Sequence, residues 1–135
     1  MTLDGKGRVT VPVRHRDAIL EACGGELTIT SSPEGGLYVF PRPVWIEYRE
    51  KLMGLSVAAE GWRRFFLGSA TDVDMDSASR VLVAPELRED AGLVRDVVMV
   101  GMGRRLELWD KLQLDANRAK TRASALPPSL EGLVL

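Results

Sequence analysis

One histidine and one cysteine are all that 135 residues supply of the side chains on which most metal sites and thiol chemistry depend. His15 and Cys23 sit eight positions apart on one predicted helix, about 12 Å by helical rise, so they form no thiolate–imidazole pair there. The pair is also too few for a zinc site. A lone cysteine makes no internal disulfide, which suits a reducing cytosol. Beside Gly24-Gly25, Cys23 reads as a structural thiol. The chain has no Gly-x-x-x-x-Gly-Lys-Ser/Thr phosphate loop and no signal peptide. It has no apolar run approaching the roughly 20 residues of a membrane span. Together these absences argue against an enzyme, a metal, a cofactor and a membrane partner. A formal net charge of -1 also argues against binding nucleic acid through overall charge.

What is present is a stretch that occurs twice. Leu3 to Pro12 reads LDGKGRVTVP, and Met75 to Pro85 reads MDSASRVLVAP. Asp4 and Arg8 match Asp76 and Arg80, Val9 and Val11 match Val81 and Val83, and Arg16-Asp17 matches Arg88-Glu89, all at a spacing of 72 positions. Two copies are too few for a solenoid and indicate a tandem duplication. Halves of roughly 65 residues bury too little surface alone, so they are expected to share a core.

In chain order, Asp4 to Gly7 reads as a turn, because Asp bonds amides ahead of it and Gly tolerates positive φ. Arg8 to Val11 alternates as a half-buried strand. Pro12 opens a helix from Val13 to Cys23, with Ile19, Leu20 and Cys23 inward, and Gly24-Gly25 ends it. Strands are predicted at Leu27 to Thr30 and Leu37 to Phe40 around the hairpin signal Ser31 to Gly36. Helices follow at Val44 to Met53, with Trp45, Tyr48 and Leu52 at helical spacing, and from Ser56 to Phe65. Arg63-Arg64 on the latter reads as a solvated face. Phe66 to Val73 reads as a strand entering the second turn. Arg80 to Val83 repeats the alternating strand, and a short helix runs from Pro85 to Gly92. Strands at Asp96 to Val100 and Arg105 to Trp109 precede a helix over Asp110 to Ala125. Pro127-Pro128 then opens a tail that packs only if a neighbour offers a groove.

Asp72, Asp74 and Asp76 share one strand face, which suits a solvated or arginine-paired face better than a cation, because hard cations want more oxygens than this spacing guarantees. The doubled Asp-x-x-x-Arg is the stronger signal. In one reading Asp bonds the turn amides and Arg merely closes the loop against it. In the other, Asp braces the turn while Arg projects a planar fork suited to guanine edges and phosphates. Lys6, Arg8, Arg14 and Arg16 cluster against only Asp4 and Asp17, so the first copy carries a local basic face. The second copy offers Arg80 and the hydroxyls of Ser77 and Ser79. A protein-interaction scaffold is the alternative, with Trp45, Trp62 and Trp109 partly at interfaces.

Through these two loops, and through FLGSATDVDMD, GLYVFPRPVW and RRLELWD, nearly the whole chain resembles MraZ, a family of bacterial transcriptional regulators built from two SpoVT-AbrB-type halves. The resemblance implies an α+β fold: two tandem swapped-hairpin half-barrels with flanking helices, related by a pseudo-twofold axis. The expected division is 1–47 for the first repeat, 48–65 for linking helices, 66–112 for the second repeat, and 113–135 for a terminal helix and tail. It further implies a ring-like homo-oligomer, cytoplasmic and nucleoid-associated. Its expected partner is double-stranded DNA, at guanine-rich direct repeats upstream of the division and cell-wall gene cluster that includes its own gene. The DNA contacts it implies are Arg8 and Arg80, with Lys6 beside them; Arg14 joins them from the basic face, and Asp4 and Asp76 brace the loops. Before its Asp the first copy has only Met1-Thr2-Leu3 where the second has a full strand, so either the start is assigned late or the barrel carries an open, unpaired edge.

Overall fold

A computed structural model describes residues 1–133. Strand β1 (Arg8–Thr10) leads into helix α1 (Val13–Cys23), which Gly24 ends in the left-handed region at φ 63°, its amide donating to the Leu20 carbonyl. Strands β2 (Glu26–Ser31) and β3 (Leu37–Pro41) form the expected hairpin. Helix α2 (Arg42–Met53) begins on Pro41 and carries Pro43 in its first turn, where a missing amide costs nothing. A single 3-10 turn at Val57–Ala59 precedes α3 (Glu60–Ser69).

The second half repeats the plan with β4 (Thr71–Asp74), β5 (Arg80–Leu82), α4 (Pro85–Asp90), β6 (Val97–Gly101) and β7 (Leu106–Asp110). Helix α5 (Lys111–Ala123) is capped by the Asp110 carboxylate, which accepts the Gln113 amide. In the expected tail a 3-10 turn forms at Pro128–Leu130, and its last two positions, 134–135, lie outside the described residues.

The halves are entwined rather than stacked. Strand β4 belongs to the second repeat but pairs antiparallel with β2 of the first, Glu26 opposite Asp74 through Ile29 opposite Thr71. In the reciprocal place, Thr2 bridges Asp96, the Leu3 amide reaches the Arg95 carbonyl at 2.8 Å, and the Val97 amide reaches the Met1 carbonyl at 3.0 Å. Each half thus lends its leading segment to the other. Strands β3 and β7 join the halves edge to edge, giving one five-stranded sheet in the order β4-β2-β3-β7-β6. Strands β1 and β5 form a separate two-stranded ribbon. Between ribbon and sheet lies a single core, with Val9, Val11, Val81 and Val83 from the ribbon side and Leu27, Ile29, Met99 and Leu108 from the sheet. The fold is therefore the duplicated α+β arrangement that the resemblance implied.

Several local expectations are corrected. The strand expected from Phe66 starts only at Thr71, because α3 continues to Ser69. Helix wins there because Trp62, Phe65 and Phe66 cluster at helical spacing, and Phe66 packs between Tyr38 and Tyr48. Leu20 faces solvent: the inward stripe of α1 is narrow, holding Ile19 and half-burying Cys23, and Leu20 lies about 100° round the helix from Ile19. Arg63 is not part of a solvated face. Its guanidinium donates to the Leu52, Leu55 and Ser56 carbonyls and ties the α2–α3 connection. The expected open edge is partly filled by Met1 to Leu3. Farther along β6, helix α1 approaches instead, with Arg14 Nη2 at 3.5 Å from the Met99 carbonyl.

Candidate nucleic-acid interface

Each turn is built on one carboxylate. Asp4 Oδ1 accepts the Lys6 and Arg8 amides, both at 2.9 Å, and Oδ2 accepts Arg8 Nε at 2.9 Å. Asp76 does the same for the Ala78 and Arg80 amides and for Arg80 Nε, all at 2.9 Å. The main chain also closes identically, Gly7 to Asp4 at 3.0 Å and Ser79 to Asp76 at 2.9 Å. These bonds favour the ionised carboxylate. The Arg8 amide, with the Lys6 amide and the Arg8 guanidinium adding to it, holds Asp4 below its ordinary value of 3.8; the Arg80 amide does so for Asp76.

The turns need a left-handed residue just before the arginine. Gly7 supplies it at φ 82° and Ser79 at φ 60°. Gly7 is also close-packed: a Cβ there would lie 2.6 Å from Arg88 Cζ. The loops are cross-linked in the main chain, the Val11 amide donating to Ser79 O at 2.8 Å and the Val83 amide to Gly7 O at 2.9 Å. The matched arginines Arg16 and Arg88 then hold the Val11 and Val83 carbonyls at 2.8 and 3.0 Å. This clamp role went unread in the sequence, although the repeat had already paired the two residues.

The ribbon register sets Arg8 opposite Leu82, Val9 opposite Val81 and Thr10 opposite Arg80. Val9 and Val81 are buried, so alternation sends Arg8, Thr10, Arg80 and Leu82 to the outer face. Arg8 and Arg80 lie diagonally across the ribbon, about 7–8 Å apart. Their side chains stay 29% and 37% exposed. Only Nε of each is engaged, and among the described residues neither Nη of either arginine has a hydrogen-bond partner. In each loop the arginine closes on its aspartate through Nε, and its Nη groups face outward.

The profile of the MraZ protein family, described as antitoxin-like, matches residues 1–65 and again 66–126. The chain is 52% identical over 131 residues to a transcriptional regulator MraZ of Leptothrix cholodnii, covering 97% of this chain and 90% of that one. It is 48% identical over 131 residues to its counterpart in Delftia acidovorans, covering 97% and 92%. A third, in Methylibium petroleiphilum, is 52% identical over 130 residues, covering 96% and 89%. The chain belongs to the MraZ family. It therefore falls among transcriptional regulators and in no enzyme class.

In this MraZ chain the structure brings Asp4, Lys6, Arg8, Asp76 and Arg80 together across one ribbon. Lys6 is exposed at the first loop tip. Arg14 stands apart on α1, with Nε toward His15 Nε2 at 3.2 Å and Nη2 toward the Met99 carbonyl. Burial, and then the charge of Arg14, lower the His15 pKa, so this imidazole adds little cationic character. The Asp72–Asp74 face is arginine-paired: Arg42 reaches Glu26, Asp72 and Asp74 at 3.0, 3.7 and 3.6 Å. Among the described residues no group of three or more acidic, histidine or cysteine side chains is arranged to hold a metal. None of the described helices is long and apolar enough to cross a membrane. Trp45 and Trp109 are buried in the chain's own core, leaving only Trp62 exposed for an interface.

Proposed function

We propose that this chain is a DNA-binding transcriptional regulator whose outer ribbon face enters the major groove. The observation that carries the reading is the outward, half-free fork of Arg8 and Arg80 on one rigid two-stranded surface. Two antiparallel strands fit a major groove about 12 Å wide, and a guanidinium's paired Nη groups match guanine O6 and N7. The Asp4 and Asp76 carboxylates preorganise each fork by holding Nε, which lowers the entropy lost on contact. Lys6 adds a phosphate contact at the loop tip, and Arg14 serves phosphate farther along the groove wall. The overall charge of -1 is no obstacle, because the field that acts on DNA is the local one.

One ribbon is a small interface. A homo-oligomeric ring would set several ribbons toward successive guanine-rich direct repeats, and each contact after the first is favoured by effective concentration. The repeats we propose lie upstream of the division and cell-wall gene cluster containing the chain's own gene, which places the protein in the cytoplasm at the nucleoid. A gel-shift salt titration tests this, with the duplex just upstream of the coding region set against a shuffled duplex. Tighter binding to the upstream duplex and a steep loss of affinity with salt are expected. Equal affinity for both duplexes, or an affinity indifferent to salt, overturns the reading in favour of a protein-recruiting scaffold.

A further inference from the structure

The two halves of the ribbon are alike in backbone and unlike in what they present. At the spacing of 72 positions, Lys6 corresponds to Ala78 and Thr10 to Leu82. One side of the outer face is thus lysine, arginine and threonine; the other is alanine, arginine and leucine. Leu82 is 51% exposed, opposite Arg8 in the register and two residues along its strand from Arg80. It is the only large apolar side chain on the outer face of β1 and β5, flanked by two guanidinium groups. That setting lacks the charge-depleted apolar core that homodimer interfaces concentrate. It suits the one apolar group that a base pair displays in the major groove, the 5-methyl of thymine.

We propose that Leu82 is a specificity-determining residue that packs on the methyl group of a thymine neighbouring the guanine contacted by Arg8. Directly opposed side chains on an antiparallel pair lie about 4.5–5.5 Å apart at Cβ. Successive bases on one strand are about 3.4 Å apart. Adjacent bases are therefore within reach of Arg8 and Leu82 together. Because Thr10 replaces Leu82 in the other half, the pseudo-twofold ribbon reads a box that is not palindromic. The inference rests on the DNA-binding reading above.

The test replaces each thymine of the bound upstream duplex in turn with deoxyuridine, which removes only the methyl group. At one thymine per box the wild-type protein loses about fourfold in affinity per engaged subunit, the worth of one buried methyl group. Leu82→Ala binds the unmodified duplex more weakly and is insensitive to deoxyuridine at that thymine, whereas Leu82→Met keeps the sensitivity. Sedimentation of the free Leu82→Ala protein matches the wild type. No deoxyuridine effect at any thymine, or an undiminished effect in Leu82→Ala, overturns the assignment while leaving the DNA reading intact. A changed sedimentation coefficient for Leu82→Ala makes the side chain a subunit contact and overturns it too. No binding to the unmodified duplex overturns both.

Discussion

Replacing Arg8 and Lys6 separately distinguishes base reading from charge attraction, because the structure gives the two side chains different freedom. Arg8 is held at 2.9 Å through Nε and presents its Nη groups, so its contribution is geometric. Lys6 is exposed and unpaired among the described residues, so its contribution is a charge. Arg8→Ala removes one bidentate contact, about 1–3 kcal/mol per engaged loop. That is roughly 5–150-fold in affinity for the upstream duplex. Shuffled DNA, which offers no aligned guanine, is bound nearly as before, and the slope of log affinity against log salt is little changed. Lys6→Ala weakens binding to both duplexes similarly and lowers that slope by about 1 per engaged loop. Fluorescence anisotropy at four or five salt concentrations measures both effects, with circular dichroism to check that the Arg8–Asp4 pair, being exposed and screened, leaves the fold unchanged. The reasoning is refuted if Arg8→Ala loses affinity equally for both duplexes while its slope falls as that of Lys6→Ala does.

Three further outcomes are expected. Gly7→Ala combines a left-handed φ of 82° with a Cβ 2.6 Å from Arg88 Cζ, so the backbone strain alone costs about 1–2 kcal/mol; an unchanged melting temperature would contradict this packing. Leu27→Ala, fully buried at the exchanged β2–β4 pairing, should cost about 2–5 kcal/mol and lower the melting temperature by roughly 6–20 °C. It should do so in one transition seen alike by far-ultraviolet circular dichroism and tryptophan fluorescence, since neither half has its own core; two separate transitions would disprove the sharing. Finally, Asp4 and Asp76 titrate below their ordinary value of 3.8 in the folded chain, so they stabilise the loops above that pH and release them as pH falls through the lowered values. Amide resonances of Lys6, Arg8, Ala78 and Arg80 followed by NMR from pH 5 to pH 2 should have midpoints under 3.8. Midpoints at or above that figure would contradict the bracing role.

Much of this was readable one residue at a time. The doubled LDGKGRVTVP and MDSASRVLVAP stretches determined the duplication, the two aspartate-braced turns, the alternating strands and the proline-started helices. Each follows from local chemistry: a carboxylate that reaches amides two and four residues ahead, a strand period of two, a ring that fixes φ. Cys23 and His15 bounded the chemistry by their scarcity. What the sequence did not determine depends on neighbours brought together over long separations. Local propensity does not report that β4 crosses to β2, or that α3 keeps Phe66 because Tyr38 and Tyr48 receive it. Nor does it say that Arg16 and Arg88 turn inward to clamp Val11 and Val83 while Arg8 and Arg80 keep their Nη groups outward. Arginine carries the same charge in both places, and its direction is decided by which carbonyl or carboxylate the folded backbone sets within reach.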